Sequence, residues 1–247
     1  MYCNSCASTY DVICLTETWL QAGILDTEVF CDNLSIFRLD RENQRGGGVL
    51  IAVRSSLSAE MLEINNSLEV EFIAVKIRCK SNFVFVSCSY LPPNSDSSVF
   101  SKHSDLITNV VANMRPSDSC VIVGDFNLPH VTWVEVEDCR HLLPSCSVDF
   151  IDRLISLPLH QINAIRNANG RTLDLIFFDT ESDYTAIRTT PMSLPEDSHH
   201  PTIEVTLRLP ASKPSPSFNF RAANVRGLLL ALSQIAGPLS LIRLTLN

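Results

Sequence analysis

Four short stretches of the chain carry side chains able to do polar chemistry. Gly124-Asp125-Phe126-Asn127 follows the apolar run Cys120 to Val123. A strand ending in so tight a turn projects an acid and an amide beyond the sheet edge. Asp supplies a charged acceptor that orients a water or binds a hard cation, and Asn adds an acceptor and donors. The same residues also build an ordinary Asx turn, and both readings stand at this level. Glu17 follows a second apolar run, Val12 to Leu15. A carboxylate there is either a solvated strand end or a metal ligand, since magnesium takes only one or two protein carboxylates beside phosphate and water. Asp197-Ser198-His199-His200-Pro201 precedes an alternating segment that starts at Thr202. An Asp close to a His holds the imidazole tautomer and stabilises its charged form, which suits a base or a phosphate-binding cation. Asp174 interrupts the apolar run Leu173 to Phe178, where a carboxylate is costly unless paired, and Arg171 is a partner close in sequence.

Gly46-Gly47-Gly48 lies before the run that begins at Val49, as a hairpin turn or as a place where backbone approaches a phosphate. No Gly-Lys-Ser/Thr follows, so it is not a P-loop. Arg38, Arg41, Arg45 and Arg54 surround it, either as a solvated face or as a patch reading a phosphate backbone.

The elements that must position these groups are mostly strands. Val12–Leu15, Val49–Val53, Phe72–Ile77, Phe83–Ser89, Cys120–Gly124, Leu173–Phe178 and Thr202–Leu209 are short β-branched or aromatic runs bounded by turn residues. Two segments have helical periodicity. Ser101–Met114 places Leu106, Val110, Val111 and Met114 on one face, and Val148–Leu157 does so with Phe150, Ile151, Leu154 and Ile155. Strands outnumbering helices that lie between strand groups predict an α+β layered fold, two packed sheets with helices outside. Pro210–Ser217 is a Pro/Ser linker, and Val225, Leu228, Leu229, Leu232 and Ile235 beyond it fit one helical face.

Composition bounds these readings. The 247 residues are 45% hydrophobic and 19% charged with only 8 Gly, which excludes disorder, collagen and coiled coil. A net charge of −8 shows no overall basic character for nucleic acid, so any such contact must be local. The first ten residues lack the features of a signal peptide, and the apolar stretch Gly227–Ile242 is too short and broken to span a membrane. The nine cysteines include Cys14, Cys88 and Cys120 inside apolar runs, which fits free thiols in a reducing compartment, nuclear or cytoplasmic. Cys3-x-x-Cys6 has zinc-like spacing without a second pair nearby.

In order, ICLTETWL, RGGGVLIAV, SYLPPNS, VIVGDFNLP, RTLDLIF and DSHHPTIEV resemble the endonuclease/exonuclease/phosphatase family over about residues 8 to 209. The resemblance is strongest to the apurinic/apyrimidinic-like endonuclease domain of non-long-terminal-repeat retrotransposons. It implies a four-layer α/β sandwich, two mixed β-sheets flanked by helices, and Mg²⁺-dependent phosphodiester hydrolysis, with Mn²⁺ as an alternative ion. Glu17 would then be the metal ligand and Asp125 would position the attacking water. Asn127 would orient that water and the phosphate, and Tyr90 would stand near the phosphate. Asp174 matches the acid of the penultimate strand, and Asp197 with His199 or His200 would complete the phosphate clamp. The order Asp197-Ser198-His199-His200 offers two pairings, and Asp197 with His200 is the preferred one.

The resemblance also sets the expected organisation. The family opens on a strand carrying an active-site Asn, and only nine residues precede Tyr10, so that strand is expected to be missing. Residues 1–209 form the endonuclease-like domain, truncated at its start. Residues 210–247, with FNFRAANVRGLLLALSQI, are the linker and the beginning of the region leading to a reverse transcriptase. The implied partners are double-stranded DNA and, indirectly through that reverse transcriptase, the element's RNA. The implied function is nicking of DNA for target-primed reverse transcription. The alternatives are an inactive remnant of such a domain and a phosphatase or phosphodiesterase of the same superfamily.

Overall fold

The computed structural model describes residues 10–30, 33–42, 46–64, 70–131, 133, 145–179, 184–189 and 198–208, all within the compact unit Met1–Ser212. In chain order the elements are β1 (Val12–Thr16), α1 (Asp26–Val29), β2 (Leu34–Leu39), β3 (Val49–Arg54), β4 (Ala59–Met61), β5 (Glu71–Cys79) and β6 (Asn82–Tyr90). Then come α2 (Ser97–Ala112), β7 (Ser119–Asp125), α3 (Ser145–Ser156), β8 (His160–Gln161), β9 (Asp174–Phe178), β10 (Tyr184–Thr189) and β11 (Ile203–Leu207). The strands make a six-stranded sheet in the order β4-β5-β6-β7-β9-β8, a three-stranded sheet β1-β3-β2, and the antiparallel pair β10-β11. The larger sheet is mixed. Its β6–β7 pair is parallel and α2 is the crossover between them, while β5–β6 and β7–β9 are antiparallel.

Side-chain alternation divides the core into layers. On β3, Val49, Ile51 and Val53 face the larger sheet, where Ile73, Val75, Ile77, Val84, Val86, Cys88 and Tyr90 meet them. Leu50 and Ala52 point the other way, against Phe30 and Leu34. Both faces of β3 are therefore buried, which explains its uninterrupted apolar run. Each large side chain buried there is worth about 1.5–3 kcal/mol. The outer face of the larger sheet packs on α2 and α3 through Phe72, Phe85, Phe100, Ile107, Ile122, Phe150, Ile151 and Leu154. Ile203, Val205 and Leu207 of β11 join the core between the sheets. The result is the expected α/β sandwich of two packed sheets, except that only the larger is mixed and the smaller is antiparallel.

Several details differ from the sequence expectations. The first long helix starts at Ser97, not Ser101, because the Asp96 carboxylate accepts the Ser98 and Val99 N–H groups and caps it. On α3, Ile155 of the expected apolar face is exposed. Strand β2 carried no prediction. Its alternation is interrupted by Arg38, which pairs with Asp26 and Asp40 at 3.3 and 3.4 Å. Cys88 and Cys120 are buried free thiols as expected, whereas Cys14 is only half-buried. The Cys3/Cys6 pair and the linker lie outside the described residues. No described helix is long and apolar enough to cross a membrane.

Candidate active site

One end of the sandwich gathers the polar groups. In the larger sheet Glu71 pairs with Tyr90, Tyr90 with Asp125, and Asp125 with Asp174. Cross-strand partners share a face, so these four side chains form one row across β5, β6, β7 and β9. Tyr90 belongs to the core between the sheets, which places the row on the face toward the smaller sheet. In that sheet Thr16 pairs with Val49, so Glu17 and Gly48 leave it side by side at the same mouth.

Gly124 makes the row possible. Its φ is +156°, and a Cβ placed there would lie 2.0 Å from the Ser89 carbonyl oxygen across the parallel pair. Only glycine allows β7 to run this close to β6 just before Asp125. The Asp125 side chain is 2% exposed. Its Oδ1 accepts the Asn127 backbone N–H at 3.0 Å, and its Oδ2 accepts Asn127 Nδ2 at 2.7 Å. Asn127 Nδ2 also donates to the Leu91 carbonyl at 3.0 Å, and its φ of +45° is a conformation that Asn tolerates. The bond from the Asn127 N–H to Asp125 Oδ1 forms the Asx turn that was one of the two readings of this segment. Burial pushes the Asp125 carboxyl up to about 7; neighbouring Asp174 adds to this, while His200 and the Asn127 bonds oppose it.

Asp174 faces His200. The imidazole Nδ1 lies 3.1 Å from Asp174 Oδ2, and Nε2 lies 3.8 Å from Asp125 Oδ2. The carboxylate in the apolar strand is therefore set against His200 rather than the sequence-local Arg171. His199 turns to Ser198, with Nδ1 3.3 Å from Oγ. Asp197 lies outside the described residues. Asn163, which carried no prediction, is buried and donates from Nδ2 to the Asp174 carbonyl at 2.6 Å. Asn167 holds the histidine segment by donating from Nδ2 to the His199 carbonyl at 3.1 Å.

Glu17 sits at φ +54°. Its Oε2 accepts the Trp19 indole N–H at 2.5 Å and the Gly47 N–H at 3.0 Å, and it shares a hydrogen bond with Tyr90. Burial pushes the Glu17 carboxyl up, but Tyr90, Gly47, Trp19 and nearby Arg41 together hold it below the usual carboxylate range. Burial, then Glu17 and Asp125, push the Tyr90 hydroxyl well above its ordinary value, so it stays protonated and donates. The glycine segment serves these carboxylates: Gly47 N–H binds Glu17, and Gly48 N–H binds Glu71.

The expected arginine patch takes a different form. Arg38 pairs with Asp26 and Asp40, Arg41 with Glu71, and Arg54 with Asp11, so each is committed to a carboxylate. Arg45 lies outside the described residues.

A divalent cation fits this mouth. One ligand atom from each of Asp125, Asp174 and His200 lies within 4.8 Å of the others. Glu17, the expected ligand, is not a member of that cluster and stands across Tyr90 from it. Carboxylate-rich donor sets of this kind suit magnesium or manganese.

A two-sheet sandwich carrying clustered carboxylates and a histidine at one mouth is a nuclease/phosphatase fold. The chain belongs to the endonuclease/exonuclease/phosphatase family, whose model matches residues 5–185. Enzymes of that family depend on divalent metal ions. The fold is similar to the endonuclease domain of TRAS1, a telomere-specific non-LTR retrotransposon. That match has a TM-score of 0.61 and 15% identity, and it covers 83% of this chain and 88% of that one. It is also similar to a 3′ phosphatase from Neisseria bound to a product DNA hairpin, with TM-score 0.56 and 13% identity, covering 80% and 88%. A 3′-5′ exonuclease from Neisseria meningitidis matches with TM-score 0.56 and 13% identity, covering 80% and 89%. No curated protein matches the sequence significantly.

Proposed function

We propose that this chain is a divalent-metal-dependent phosphodiester hydrolase that nicks double-stranded DNA, making the primer end for target-primed reverse transcription of a retrotransposon. The observation that carries this reading is the row Tyr90–Asp125–Asp174 with His200 against it and Glu17 facing it from the other sheet. RGGGVLIAV and SYLPPNS favour the retrotransposon branch over a phosphatase of small esters. The element's RNA would enter indirectly, through a reverse transcriptase.

Glu17 would hold the cation, with Asp125, Asp174 and His200 offering further ligand atoms. When bound, Mg²⁺ or Mn²⁺ would supply charge to offset that developing on the phosphate. The protein groups divide the remaining work. Asp125, buried at the centre of the row beside His200, would accept the proton of the attacking water. Asn127 locks both Asp125 oxygens and so fixes the direction in which that water is held. His200, oriented by Asp174, places an imidazole where negative charge builds up on the phosphate. Tyr90 donates from a hydroxyl that stays protonated. Water adds to phosphorus as its proton passes to Asp125, the P–O3′ bond breaks to leave a 5′-phosphate, and the 3′ oxygen takes up a proton from solvent to leave as a hydroxyl.

The test is supercoiled plasmid with Mg²⁺, comparing the native chain with Glu17→Ala and Asp125→Ala. Nicked circles from the native chain and none from either variant are expected. Absence of nicking by a chain with a folded circular-dichroism spectrum would point to an inactive remnant. Phosphate release from small esters without nicking would point to a phosphatase.

A further inference from the structure

Glu71 and Arg41 stand behind the site and touch its loop. Glu71 opens β5 and is the fourth member of the cross-strand row, yet its side chain is only 10% exposed. Its Oε1 accepts Arg41 Nε at 2.5 Å and also Arg41 Nη2, while its Oε2 accepts the Gly48 N–H. The guanidinium carbon lies 5.7 Å from the centre of the Tyr90 ring. A Cβ on Gly47 would fall 2.4 Å from that same carbon, so the loop backbone rests on Arg41. The next contact is Gly47 N–H to Glu17. The loop is also tied back, with Trp19 N–H donating to the Gly47 carbonyl at 2.9 Å and Thr18 N–H to the Gly48 carbonyl at 3.2 Å.

We propose that Arg41, clamped by Glu71, is a positioning residue that fixes the Gly46–Gly48 loop and through it the Glu17 carboxylate. The proposal rests on Glu17 as the cation's ligand. Two carboxylates from different sheets, Glu17 and Glu71, are held by consecutive amides of one loop, and Arg41 supplies the floor under that loop. Gly47 has φ +72°, so glycine is needed there for its conformation as well as for the space that Arg41 fills. Lysine would substitute only in part. A single ammonium has no planar fork to place two N–H groups on one carboxylate while its flat face meets a ring and a backbone. Removing Arg41 leaves a buried Glu71 without its counterion and frees the loop, so Glu17 must be ordered when the cation binds. The cost appears as weaker cation binding, while a saturating cation restores the site.

The test uses the full chain, with Mn²⁺ binding followed by loss of the free-ion electron paramagnetic resonance signal. Folding is checked by circular dichroism, and plasmid nicking is measured across Mn²⁺ concentration. Arg41→Met and Glu71→Gln are expected to raise the Mn²⁺ midpoint about tenfold or more, with nicking at saturating Mn²⁺ returning toward the native rate. Arg41→Lys should fall between them and the native chain. If Arg41→Met fails to fold, Gly47→Ala, which displaces the guanidinium, is expected to raise the midpoint in the same direction. Folded variants with a lower melting temperature but the native Mn²⁺ midpoint would show that the pair merely props the fold, and would overturn the proposal. A native chain that binds no Mn²⁺, or a Glu17→Gln variant that binds it as the native chain does, would overturn the metal reading as well.

Discussion

His103 offers a quantitative test of how the core is built. The residue lies on α2, fully buried, with both ring nitrogens lacking a hydrogen-bond partner among the described residues. Its ring centre sits 5.6, 5.5 and 5.8 Å from those of Phe72, Phe126 and Phe150. Burial pushes its pKa from 6.5 down to about 3. Between those values the unfolded chain binds a proton that the folded chain refuses. Stability from this residue therefore falls as pH falls, by about 1.4 kcal/mol per unit. From about pH 7 to about pH 5 the loss is roughly 2 kcal/mol. Asp125 works in the opposite sense, because a carboxyl raised to about 7 takes up a proton on folding over the same range. The native pH curve alone would therefore be nearly flat here and decide nothing. The difference between the native chain and His103→Leu isolates the histidine. Near neutral pH the substitution relieves two unsatisfied nitrogens, about 1–3 kcal/mol. It also forfeits ring contacts of about 0.5–1.5 kcal/mol, so the net effect there is small or stabilising. At about pH 5 the variant should gain a further 2 kcal/mol or so relative to the native chain. Urea unfolding followed by tryptophan fluorescence at both pH values measures this. A difference that stays constant with pH to within about 0.5 kcal/mol would refute the placement of a neutral histidine in this core.

Other perturbations address the site. Gly124→Ala must move the β6 backbone away from a Cβ that would lie 2.0 Å from the Ser89 oxygen. Denaturant titration should show a loss of about 1–3 kcal/mol or more, with Mn²⁺ binding weakened in parallel. Without a cation, charging Asp125 costs stability as pH rises from about 4 through about 7, because its folded pKa is the higher one. Mg²⁺ should therefore raise the melting temperature more at about pH 8 than at about pH 6, and Asp125→Asn should flatten that dependence. Asn163→Ala removes the donor to the Asp174 carbonyl. It should cost about 1–3 kcal/mol in urea unfolding.

The sequence made some parts of this site readable and hid others for definite reasons. Gly124-Asp125-Phe126-Asn127 was legible because an apolar strand followed by a tight turn leaves its polar residues few places to go. The core strands were legible because β-branched runs between turn residues have few other uses. Strand β2 was not, since Arg38 breaks its alternation and finds its partners Asp26 and Asp40 only in the folded chain. Glu71 opens β5 like any solvated strand end, and its role depends on the register that places Glu71, Tyr90, Asp125 and Asp174 in line. Glu71 and Tyr90 meet within the β5–β6 hairpin, but Tyr90 reaches Asp125 only across the helical crossover and Asp125 reaches Asp174 from a strand distant in sequence, pairings that local sequence does not encode. The same limit explains His200, whose facing carboxylate lies 26 residues away at Asp174. It explains the arginines as well: neighbours in sequence look like a patch, but three of them are drawn to separate carboxylates.

The most direct measurement is the chemistry of the ends made on supercoiled DNA. Plasmid treated with the native chain and Mg²⁺ should become nicked circles that a DNA polymerase extends without prior end repair, because the break leaves a 3′-hydroxyl. Glu17→Ala and Asp125→Ala should leave the plasmid supercoiled. Nicks that cannot be extended, or nicking that persists in both variants, would contradict the assignment of this mouth as a primer-generating nuclease site.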